Sequence, residues 1–181
     1  MACMLLPACT IWLAGRVTWF GTNFSRIAAS HGETYRDFLA WGVLFAVYFG
    51  IVLERTAAVL PRKGRQSVIL LLELSLICLA VGLPLPYWPE REPSWAWTHT
   101  LLTCLSCVWL MAAMLLLILH FRRRGAAELL WEWWAVVWGC GVLFVLDGII
   151  NTALEVYFTL TAARLAQSLW RLRIQTLIDS Q

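Results

Sequence analysis

The chain has 181 residues, of which 61% are hydrophobic, 14% are charged and 12 are Trp. A water-soluble domain is about half apolar and about a quarter charged, so this composition excludes a soluble globular fold and points to one domain that presents its surface to lipid. The formal net charge of +3 is too weak for nucleic acid, and its basic residues fall into two short clusters, Arg62-Lys63-Gly64-Arg65 and Arg122-Arg123-Arg124.

Residues 1–36 form an apolar N-terminal segment. Met1 to Gly15 lacks a basic leader and is closed by Arg16 after too few residues to cross a bilayer. That pattern argues against a signal peptide and favours an interfacial or partly inserted helix, with a fifth span as the alternative. Asn23-Phe24-Ser25 matches the glycosylation acceptor pattern, which is common by chance.

Residues 37–163 read as an all-α, four-helix transmembrane domain. A hydrocarbon core ~30 Å thick needs about 20 apolar helical residues. Four runs meet that need, at about 38–60, 67–88, 95–121 and 133–163. Pro61 and the first basic cluster end the first run, and Pro84, Pro86, Pro89 and Pro93 break the chain after the second. The fourth is longer than a bilayer requires. Trp88, Trp95 and Trp97 ring the proline-rich loop and Trp131, Trp133 and Trp134 ring the far end, as an aromatic belt does. Residues 164–181 read as an amphipathic tail, with Arg164, Ser168, Arg171 and Gln175 on one face and Leu165, Leu169 and Leu172 among the apolar rest.

Basic clusters beside apolar runs hold loops in the cytoplasm, so Arg62, Lys63, Arg65, Arg122, Arg123 and Arg124 are expected there. The proline-rich loop and both termini then lie outside. A full count ties, with seven Lys/Arg on each side, and only the density of the clusters decides.

Ionisable groups within spans are functional candidates. A hairpin turning at Gly64 would set Arg55 and Glu73 at one depth on facing helices, where they would pair. Asp147, Asn151, Glu155 and Thr159 recur every four residues and predict a polar stripe on one helical face. A second hairpin near Gly125 would set Asp147 opposite Thr103, Ser106 and Cys107. Such a stripe serves as polar glue between helices or subunits, or as a proton or cation path.

The six cysteines read as small buried hydrophobes. Cys104 and Cys107 have redox spacing, but no second pair accompanies them. His99 and His120 lie ~31 Å apart on one helix and cannot share a haem. No phosphate loop, nucleophile elbow or zinc motif occurs, and no cofactor is expected. The chain therefore reads as a non-enzymatic, multi-pass protein of the cell or inner membrane that acts by association: a homo-oligomer, or a subunit, sensor or anchor of a membrane complex, possible in a defence, immunity or exclusion system. The alternatives are an oligomeric channel or proton- or cation-coupled transporter using Asp147 and Glu155, and a thiol redox protein using Cys104 and Cys107.

Overall fold

A computed structural model describes residues 2–28, 33–122 and 127–178. They form seven helices: α1 (Ala2–Ala14), α2 (Phe24–Ala28), α3 (Glu33–Ala57), α4 (Arg62–Gly82), α5 (Pro93–Phe121), α6 (Ala127–Asp147) and α7 (Thr152–Ile178). Four of them, α3 to α6, are long and apolar enough to cross a membrane. The chain is a helical membrane bundle.

Proline and glycine set the boundaries. Pro61, with φ −55° and ψ 149°, stands immediately before α4, and Pro93 opens α5 at the position where a missing N–H costs nothing. The first hairpin therefore turns over residues 58–61, and Gly64 lies inside α4. Gly148 takes φ +68° just after α6, a left-handed conformation that ends a helix and that only glycine adopts freely.

That glycine overturns the expected fourth span. The run 133–163 is not one helix: it breaks at residues 148–151, and α7 folds back along α6. Tyr157 Oη donates to Ala135 O at 2.8 Å, and Arg164 meets Glu132 at 3.5 Å, so the two helices are antiparallel. Hydropathy stays high across the break, which is why the sequence shows no boundary there. The expected tail is corrected too. Residues 164–178 continue α7, and Leu165, Ala166 and Leu169 are fully buried in the core.

Side-chain bonds fix the other directions. Tyr48 Oη donates to Ala163 O, setting α3 parallel to α7. Ser75 Oγ donates to Ser106 O at 2.8 Å, tying α4 to an antiparallel α5. Trp133 Nε1 donates to Met111 O across α5 and α6. Helix α1 is ~20 Å long, too short to cross. It packs against α3 and α7, with Leu6, Thr10 and Leu13 fully buried and Trp41 Nε1 donating to Thr10 Oγ1. The bundle thus has two ends. Residues 15–23, the loop 83–92 and the turn 148–151 share the proline-loop end. The turn 58–61, the close of α5 and the far part of α7 share the basic end.

Candidate functional site

The break between α6 and α7 divides the polar stripe. Asp147 ends α6 and is exposed, with its carboxylate accepting from Asn151 Nδ2. Asn151 is buried and caps α7, its Oδ1 accepting from Leu154 N at 2.8 Å. Asn23 Nδ2 donates to Ile150 O at 3.3 Å, and Thr152 N donates to Thr22 O at 2.8 Å. The turn is thereby sewn to the segment before α2. Asn23 and Ser25 are both buried, so the acceptor tripeptide serves packing and is not open to a glycan.

Glu155, in the first turn of α7, points inward. Its Oε2 accepts from Phe24 N at 2.6 Å. Among the described residues, its other oxygen has no hydrogen-bond partner and no ion pair includes it. It opens on a cavity of about 560 Å³ walled by α3, α5, α6 and α7 and lined at its proline-loop end by Ser25, Leu79 and Leu83. Thr103, Ser106 and Cys107 line this cavity together with Glu155 and Thr159. The acid that faces those three residues is Glu155, not the expected Asp147. Asp147 is held at the proline-loop end because its helix stops there.

The cavity is asymmetric. Ser25, Thr103, Ser106, Glu155 and Thr159 lie toward the proline-loop end, whereas Met111, Leu115, Trp133 and Val136 make the basic-end half apolar. Ser25 is part of a relay that sequence reasoning missed. His99 is buried, its Nδ1 lies 2.8 Å from Gly82 O, and its Nε2 lies 2.7 Å from Ser25 Oγ. A carbonyl only accepts, so Nδ1 donates to it and a neutral ring accepts the Ser25 hydroxyl at Nε2. This relay pins α2 to the hinge between α4 and α5. A partner 74 residues away in the chain gives no sequence signal.

Cys104, Cys107 and Cys140 also line the cavity, all as free thiols. Among the described residues, no three His, Cys, Asp or Glu side chains form a group that could hold a metal.

The Arg55–Glu73 pair is not formed. Both side chains are exposed, and among the described residues neither enters an ion pair. With the turn at 58–61, Arg55 lies ~3 Å from the end of α3 while Glu73 lies ~17 Å into α4, so their depths differ by ~14 Å. Glu73 stands at the middle of α4 on its outward face, between Leu70 and Ile77, which are 58% and 59% exposed. Arg62, Lys63 and Arg65 are exposed on the first turn of α4, and Arg122 is exposed beyond α5. Arg123 and Arg124 lie outside the described residues.

No protein family, characterised protein or solved structure matches this chain. The reading of function rests on the geometry above.

Proposed function

We propose that this chain is a small, non-enzymatic multi-pass protein of the cell membrane that acts by association, and that its partner is a second copy of itself. The observation that carries this reading is Glu73. An acidic side chain at the centre of a spanning helix is costly in lipid and faces a partner or water. Its neighbours at three and four residues' spacing, Leu70 and Ile77, are exposed apolar groups, so the face is built for hydrocarbon or for another helix.

Arg164 supplies the complementary charge. It is the basic residue farthest from either end of α7, its side chain is 77% exposed, and it touches Glu132 by a single 3.5 Å contact. Glu73 lies ~14 Å and Arg164 ~18 Å from the proline-loop ends of their helices, a difference within an arginine's reach. The five donors of a guanidinium can serve both Glu132 and a carboxylate from another copy.

The same fold supports an orientation. With α7 folded back, Arg171 and Arg173 join Arg55, Arg62, Lys63, Arg65 and Arg122 at the basic end, against Arg16, Arg26, Arg36 and Arg91 at the other. Seven described residues against four replaces the tie, and favours a cytoplasmic position for the basic end and the close of α7. Labelling a cysteine introduced at Gln175 should then succeed from the same side as one at Gly64, and one at Ser94 should react only from the other. Labelling Gln175 together with Ser94 would refute the orientation.

The test of association is mass in a mild detergent. The native chain should run as a multiple of its 20.6 kDa, and Glu73→Leu and Arg164→Leu should each run as a single chain. An unchanged mass for Glu73→Leu would reject the proposal.

A further inference from the structure

The cavity beside Glu155 is not used by this association, since Glu73 lies on the opposite, outward side of α4. Its construction has three features that together specify a ligand class. First, it is large enough for a drug-sized molecule. Second, its walls are almost wholly apolar toward the basic end, while its oxygens gather toward the proline-loop end around a single carboxyl group. Third, Glu155 is only half satisfied: Phe24 N–H occupies Oε2, and among the described residues no cation approaches either oxygen. A carboxylate facing an apolar-walled cavity with one oxygen unpartnered is stabilised by a cation brought beside it.

The surrounding polar groups do not compete for the same role. Thr159 Oγ1 donates to Glu155 O and Thr103 Oγ1 to His99 O, both within their own helices. Ser106 is engaged by Ser75, and Ser25 by His99. The free charged acceptor in the polar half is therefore Glu155 Oε1. An anionic ligand would meet that carboxylate with like charge, and a purely apolar one would leave it unpaired. A molecule with one protonated amine and an apolar body answers both halves.

We propose that this cavity binds a monocationic amphiphile, with its ammonium group held by Glu155 and its apolar body lying along α5 and α6 toward Trp133. Loose contact between α5 and α6 supplies the room.

Equilibrium binding of radiolabelled 1-adamantylamine to the full chain in nanodiscs, with empty nanodiscs subtracted, tests this. The amine should bind saturably at one site per chain, and 1-adamantanol, with the same apolar body and no charge, should not displace it. Glu155→Gln should weaken binding by about tenfold or more, the weight of a lost charge-assisted hydrogen bond. Ala112→Trp, which fills the apolar half and leaves Glu155 in place, should weaken it as well, so the site remains testable if the Gln variant fails to fold. Absence of saturable binding, displacement by the alcohol as effective as by the amine, or full affinity in Ala112→Trp would each overturn the proposal.

Discussion

Glu73 and Glu155 are two lone carboxylates in membrane-length helices, and they face opposite ways. Glu73 sits on α4 among exposed Leu70 and Ile77, with no partner among the described residues, whereas Glu155 sits on α7 over a cavity, anchored by the Phe24 amide. One residue earlier and two later on α4, Leu72 and Ser75 are buried, so the outward position of Glu73 is a matter of helical phase, not of a loose helix. The contrast teaches that position along a helix sets depth, while the neighbours packed around it set whether an acid meets its own fold or another molecule. On this account the first acid is for a partner chain and the second for the fold and a ligand.

The comparison is sharpest in stability. Glu155→Leu leaves the Phe24 N–H without its acceptor in a part-buried site, which should cost about 1–3 kcal/mol in detergent unfolding measurements. Glu73→Leu, measured at a dilution where the native chain is monomeric, should stay within about 0.5 kcal/mol of it, as exposed substitutions do. A large loss for Glu73→Leu under those conditions would erase the distinction.

The break that turns Glu155 inward depends on Gly148 at φ +68°. Gly148→Ala should lower stability by about 1 kcal/mol, the cost of a left-handed conformation for a residue with a Cβ. No change would mean that the turn does not impose that backbone. A smaller test stays within α4. Ser75, on the inward face two residues from Glu73, donates to Ser106 O. Ser75→Ala should cost about 0.6 kcal/mol, the usual value for a polar contact between membrane helices. A thermal midpoint unmoved by this change would show that the α4–α5 seam does not rely on it.

Composition alone made the bundle legible, because apolar runs of membrane length admit few other folds. Pro61 and Pro93 marked true boundaries, since a missing N–H acts locally and leaves a trace in one residue. Gly148 did not mark its boundary for the reader: Leu146, Ile149 and Ile150 keep the run apolar on both sides of it, and a hydropathy pattern carries no information on backbone handedness. The hairpin register failed at Gly64 for a related reason. Glycine is tolerated inside a helix, and proline three residues earlier was the stronger stop. The site was half legible. The stripe included Glu155, but the central role and the place opposite Thr103, Ser106 and Cys107 went to Asp147, because spacing of four implies one face only while the helix continues. Ser25 and His99 carried no signal, since their partnership joins residues 74 apart.

The most direct measurement of the central claim is cross-linking between copies that carry one cysteine each. In a background with all six native cysteines replaced, Glu73→Cys and Arg164→Cys chains are expressed together and oxidised in the membrane. A disulfide-linked dimer should form from that mixture and should be absent when Ser75→Cys, on the inward face of the same helix, replaces Glu73→Cys. No dimer from the mixture, or an equal yield with Ser75→Cys, would contradict the claim that Glu73 faces another copy of the chain.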